Sequence, residues 1–137
     1  MRIAVITGAS SGMGREFVYA LDREERFDEI WVIARREQRL EELRANCRNP
    51  IRPLVWDLQK RESLYAYREL LEKEKPEIAV LVNAAGFGLF GVFKDMEMDR
   101  QLDIIDLNSR ALTGMCHLSI PYMKPGSRIW NMGSMSS

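Results

Sequence analysis

Gly8, Gly12 and Gly14 punctuate the stretch Thr7-Gly8-Ala9-Ser10-Ser11-Gly12-Met13-Gly14. Before it stands a short apolar run at residues 3–6, and after it a helical pattern in which Met13, Phe17 and Leu21 recur every fourth residue. A strand, a glycine turn and a helix in that order suit a nucleotide pyrophosphate. Glycine lets the backbone approach the anion with no β-carbon in the way, and the helix N-terminus offers unpaired N–H groups. The hydroxyls of Ser10 and Ser11 add donors for the same anion, or serve as ordinary helix N-caps. Arg35 and Arg36 directly follow a second apolar run at residues 30–34, about 20 residues past the turn, where a site selective for NAD would place an acid on the ribose 2′-hydroxyl. An acid repels a 2′-phosphate, whereas an arginine grips it with forked, charge-assisted hydrogen bonds, each contributing about 1.5–3 kcal/mol. The expected cofactor is therefore NADP(H) in preference to NAD. The alternative is that both arginines are solvated charges at a helix start, one of them neutralised by Glu37.

Further polar residues stand where chemistry is possible. Asn108 falls three residues after Ile105 and four before Leu112, which puts an amide on an apolar helical stripe. Such an amide needs a partner, since burying it unbonded costs about 2–7 kcal/mol. Asp57 closes a third strand and is placed either to cap the helix that begins near Lys60 or to meet a ligand. Asn83 closes the fourth strand, where a turn residue is also expected. Ser134 lies at the carboxyl end of a fifth strand, the side on which such sheets bind ligands, although Ser136 and Ser137 make a plain serine-rich loop the competing reading. His117, the only histidine, has no acid or nucleophile at a matching offset and reads as structural. Phe87, Phe90 and Phe93, with Met96 and Met98, compose an apolar loop suited to covering a pocket or simply to packing.

The elements that must position these residues alternate. Strands are expected at residues 3–6, 30–34, 51–56, 78–82 and 127–132. Helices are expected from Met13, over residues 37–47 with Leu40 and Leu43 inward, and over residues 60–75 with Leu64, Tyr67 and Leu71 inward. A longer one covers residues 99–122 with Leu102, Ile105, Leu112 and Met115 inward. Alternating strands and helices imply a parallel sheet covered on both faces. A glycine turn on the first strand implies the order 3-2-1-4-5, with a ligand crevice between strands 1 and 4. That order leaves strand 3 at an edge, where Pro53 is tolerated.

Composition narrows the classes. Twenty basic and twenty acidic residues cancel, which argues against a nucleic-acid partner. No apolar run approaches the roughly 20 residues that span a membrane, and the first apolar run breaks at Gly8, unlike a signal peptide. Cys47 and Cys116 form no CxxC pair, so neither a disulfide framework nor a structural metal is expected. The chain reads as one cytoplasmic, metal-free domain over residues 1–137.

Taken together, Thr7 to Gly14 resembles the Thr-Gly-x-x-x-Gly-x-Gly signature of the short-chain dehydrogenase/reductase superfamily, in its compact single-domain branch. Later segments match in the same order: Asp57-Leu58, then Asn83-Ala84-Ala85-Gly86, which is similar to the family's Asn-Asn-Ala-Gly motif, then Asn108, then Asn131-Met132-Gly133-Ser134. The resemblance implies a Rossmann-like α/β fold, a doubly wound parallel sheet without the family's C-terminal strands and helices. It implies hydride transfer between a nicotinamide cofactor and a small-molecule carbonyl or alcohol. Gly8, Ser10, Ser11, Gly12, Met13 and Gly14 would hold the pyrophosphate, Asp57 and Leu58 the adenine, and Asn83, Ala84, Ala85 and Gly86 would border the nicotinamide-side ribose. Asn108 would bond a water in a proton relay, and Ser134 the substrate oxygen. It also implies a homodimer or homotetramer in the full-length form. The family's general acid, a Tyr in a Tyr-x-x-x-Lys motif, has no counterpart here: Tyr19, Tyr65, Tyr67 and Tyr122 are followed at that offset by Arg23, Glu69, Leu71 and Gly126. The expectation is the N-terminal part of such an enzyme, inactive alone. The rival is a non-catalytic NADP-binding module.

Overall fold

The structure is a computed structural model and describes residues 1–10, 12–85 and 96–132. Its strands are β1 (Arg2–Thr7), β2 (Glu29–Ala34), β3 (Ile51–Val55), β4 (Glu77–Asn83) and β5 (Arg128–Asn131). Between them lie helices α1 (Gly12–Glu24), α2 (Glu37–Asn46), α3 (Arg61–Glu74) and α4 (Met98–Ser119), the last continued by a short 3-10 turn at Ile120–Tyr122. The strands form one sheet in the order β3-β2-β1-β4-β5, and every pairing is parallel.

Residue type explains the order. In β1, β2 and β4 nearly every residue is buried. Strands covered by helices on both faces carry continuous apolar runs rather than alternation. β3 is less buried and stands at the sheet edge, where Pro53 has no N–H to lose from a second ladder.

Alternation within each strand distributes its side chains between two cores. Ala4 and Ile6 pack with Val18 and Leu21 of α1 and Leu40 and Leu43 of α2. Ile3 and Val5 pack on the other face with Trp31, with Leu64, Tyr67 and Leu71 of α3, and with Met115 of α4. α3 and α4 lie so close that a β-carbon on Gly114 would stand 2.7 Å from Leu64 Cδ1. A buried hydrogen bond joins the Tyr67 and Ser119 hydroxyls at 2.7 Å across the two helices. Burial pushes the Tyr67 phenol far above its ordinary value, against a smaller opposing pull from Ser119, so this tyrosine holds its proton.

Two helix faces differ from expectation. In α4, Leu102 and Ile105 are exposed, and the buried face is Ala111, Met115 and Ser119. In α1, Met13 is exposed and the buried residues are Gly14, Val18, Leu21 and Asp22. In α1 the small Gly14 packs on the Gly8 carbonyl, and in α4 Gly114 meets Leu64 of α3, so small residues make these close contacts and a reading that follows bulky apolar side chains misses them.

Candidate functional site at the carboxyl end of the sheet

Register aligns the carboxyl ends of the central strands: Thr7 pairs with Ile33 and with Asn83, and Asn83 with Asn131. The loops beyond this row enclose a cavity of about 220 Å³, at the point where the chain reverses its direction of winding.

One wall is the glycine turn. Gly8 adopts φ +64°, and a β-carbon there would come within 2.6 Å of the Ala85 nitrogen. Gly14 packs its α-carbon against the Gly8 carbonyl so closely that a β-carbon would overlap it. The Thr7 hydroxyl fastens the opposite wall by accepting from the N–H groups of Ala84 and Ala85 at 3.1 and 3.2 Å. The first turn of α1 is thereby held beside the cavity, where its N–H groups lack helical partners. This backbone packing requires glycine at positions 8 and 14, and a bare turn beside the free N–H groups of a helix N-terminus is suited to a pyrophosphate.

Gly8, Ser10, Met13, Gly14, Arg35, Asp57, Leu58, Ala84, Ala85 and Asn108 all stand in the cavity wall. Arg35 is exposed at the end of β2 and makes no ion pair among the described residues, so its guanidinium is available to an anion. Arg36, equally exposed, occupies the N-cap position of α2 and is outside the wall, as is Gly12. Asp57 does not cap α3, whose N-cap is Lys60 with no side-chain bond. Its Oδ1 instead accepts from the Gln59 N–H at 3.0 Å, closing a small turn at the cavity edge, and its second oxygen takes no part in that turn.

Asn108 is half-buried and reaches both this cavity and a smaller one of about 10 Å³, shared with Thr7, Asn83 and Met115. Asn83 is tied up structurally: its amide donates to Asn131 Oδ1 at 2.8 Å and to Cys116 Sγ at 3.4 Å, and its carbonyl accepts from Met132 N–H at 2.9 Å. It thus joins β4, β5 and α4 beneath the cavity floor. Ser11, Gly86 and Ser134 lie outside the described residues, as do Phe87, Phe90 and Phe93. His117 is exposed on α4. Among the described residues no group of His, Cys, Asp or Glu is gathered as a metal would need, and no helix is long and apolar enough to cross a membrane.

Sequence reasoning overlooked Thr7, Trp56, Gln59 and Ala111. Thr7 had a signal, a hydroxyl ending an otherwise apolar strand. Ala111 had another, a small residue one turn after Asn108. Trp56 and Gln59 enter the wall only because they flank Asp57.

Comparison with known proteins places this geometry. The family model described as short chain dehydrogenase matches residues 2–137. The chain is 26% identical over 137 residues to an uncharacterized oxidoreductase of Staphylococcus epidermidis, covering 98% of this chain and 59% of the relative. It is 30% identical over 138 residues to carbonyl reductase [NADPH] 3 of Homo sapiens, covering 98% of this chain and 49% of the relative. Among solved structures, a short-chain dehydrogenase from Sphingobium yanoikuyae in complex with NADPH superposes with a TM-score of 0.69 at 28% identity, covering 88% of this chain and 48% of that one. The chain therefore spans about half the length of the relatives it matches. By its family match over nearly every residue, its glycine cradle and its sheet order, this chain belongs to the short-chain dehydrogenase family.

Proposed function

We propose that residues 1–137 are the cofactor-holding, N-terminal part of an NADP(H)-dependent oxidoreductase acting on a small-molecule carbonyl or alcohol. One observation carries this reading: a single cavity gathers the glycine turn, an arginine without an ion-pair partner among the described residues, and an acid-bearing turn. Support comes from two matched proteins, one named for NADPH and one solved with it.

In this reading Gly8 to Gly14, with the hydroxyls of Ser10 and Ser11, hold the pyrophosphate, and Met13 forms part of the wall beside it. Arg35 bonds the 2′-phosphate, and Arg36 contributes charge from outside the wall. Asp57 and Leu58 receive the adenine. Asn83, Ala84, Ala85 and Gly86 border the nicotinamide-side ribose, with Asn83 acting by holding the floor in place. Asn108 orients a water for proton relay, and Ser134 bonds the substrate oxygen. The bound nicotinamide supplies the hydride donor or acceptor. Preference for NADP over NAD follows from Arg35, because a monoester phosphate gains a bond there that a ribose hydroxyl does not. The reading places the protein in the cytoplasm and its full-length form in a homodimer or homotetramer.

The 137 residues contain no Tyr-x-x-x-Lys. Loss of a general acid costs about 10²–10⁴-fold in rate, so this chain by itself is expected to bind cofactor and not to turn it over. A second reading, a non-catalytic NADP-binding module, rests on the same cavity. Titration of the chain with NADPH and with NADH, followed by cofactor fluorescence, tests what the two readings share. Saturable binding with NADPH the tighter ligand is expected, and failure to bind either cofactor rejects both. Tyr-x-x-x-Lys in the reading frame beyond Ser134 decides for the enzyme, and a stop codon there decides for the module.

A further inference from the structure

We infer that Arg110 is a positioning residue for the adenine end of the site, acting through the Gln59 peptide on the turn that presents the Asp57 carboxylate. The inference rests on the cofactor reading above.

The main chain of Gln59 is held on both sides of its α-carbon. Its N–H donates to Asp57 Oδ1 at 3.0 Å, and its carbonyl accepts from Arg110 Nη2 at 2.5 Å, across 51 residues of sequence. The Lys60 N–H closes back on the Asp57 carbonyl at 3.0 Å, so the other bonds of this turn stay within it. Arg110 is thus the turn's hydrogen-bonded link to α4.

Position makes that link consequential. Asp57, Leu58 and Gln59 line the cavity, and so do Asn108 and Ala111 on either side of Arg110, whereas Arg110 itself does not. Among the described residues it reaches the site through the peptide it holds. The bond is charge-assisted, and such bonds are stronger than neutral ones. Arg110 makes no ion pair among the described residues, and its Nε is buried without a hydrogen-bond partner there. A guanidinium kept in that condition for one carbonyl is poorly explained by packing alone. Fixing the turn removes freedom that Asp57 would otherwise lose on meeting a ligand, and such preorganisation raises affinity without a new contact.

The test uses the full chain and its Arg110→Ala and Arg110→Lys variants, titrated calorimetrically with 2′,5′-ADP, NADPH and nicotinamide mononucleotide, with circular dichroism as the check of fold. Arg110→Ala is expected to weaken 2′,5′-ADP and NADPH in parallel by about tenfold, the size of one hydrogen bond, and to leave nicotinamide mononucleotide unchanged. Arg110→Lys, which retains a charged donor, is expected to regain most of the loss. The losses from Arg110→Ala and Asp57→Ala should not add, because both act on one carboxylate. Wild-type affinity for 2′,5′-ADP in a folded Arg110→Ala variant overturns the inference alone, as do additive losses. No binding of 2′,5′-ADP by the wild-type chain overturns the inference together with the cofactor reading. Should Arg110→Ala not fold, Arg110→Gln replaces it: a weaker, neutral donor predicts a smaller loss in the same ligand order, and unchanged affinity rejects the proposal.

Discussion

The backbones of Gly8 and Ala85 approach so closely that a β-carbon on Gly8 would stand 2.6 Å from the Ala85 nitrogen. The turn after β1 and the turn after β4 are therefore one structure, with Thr7 as the bolt between them.

Replacing Gly8 by alanine is expected to destabilise the chain by more than about 3 kcal/mol, since a positive φ and a backbone clash act together. Gly12 also has a positive φ, +57°, but open space lies where its β-carbon would go. Gly12→Ala should therefore cost only the conformational term, about 1–2 kcal/mol. Urea midpoints of the two variants check the ranking, and equal losses would show that the close approach is unimportant.

On the proposed role of Arg35, Arg35→Ala is expected to weaken NADPH binding by roughly tenfold to a hundredfold and to leave NADH nearly unaffected, because only NADPH brings a 2′-phosphate for the guanidinium to bond. Arg36→Ala should have a smaller effect, since Arg36 stands outside the cavity wall. Cofactor fluorescence titration measures all three proteins. Equal loss for both cofactors in Arg35→Ala would remove the argument for NADP preference.

A pH dependence arises far from the cavity. Asp22 is buried, which alone would raise its carboxyl. Hydrogen bonds from the Asn49 and Arg48 N–H groups and the Asn49 amide outweigh this and hold it below its ordinary value of 3.8. With the folded value below the unfolded one, the stabilisation is complete above that ordinary value and is lost as the pH falls beneath it, through the folded value. Asp22→Asn leaves at least one of these donors unmet and is expected to cost about 1–3 kcal/mol at pH 7, with a smaller difference from wild type near pH 3. Urea unfolding at the two pH values tests the sign, and an identical loss at both would refute it.

The fold was largely legible because its signals are local. The buried strands are continuous apolar runs, Pro53 marks an edge, and the glycine turn labels the strand at which winding reverses. The cavity was legible to the same depth, since Gly8, Arg35 and Asp57 each follow the end of a strand, and Asn108 is a polar residue on a helical stripe whose type the pattern reveals. What escaped depends on surfaces meeting. α4 buries Ala111 and Met115 rather than Leu102 and Ile105, and at Gly114 it comes so near Leu64 of α3 that a larger side chain would crowd it. Arg110 escaped for another reason. Its acceptor is a main-chain carbonyl, and every residue has one, so nothing in the letters marks Gln59.

The central place of β1 has a consequence for how the molecule is made. β1 emerges from the ribosome before the other strands, and β2 pairs with it along one side, but its other neighbour begins only at Glu77. Contacts of such long sequence separation form slowly, after the loop between them has been closed. Until β4 is synthesised, Thr7 has no Ala84 or Ala85 to hold, and Gly8 has nothing to lie against. A nascent chain therefore already contains every glycine of the turn while the turn itself has only one wall, and the second wall is added only once β4 has docked.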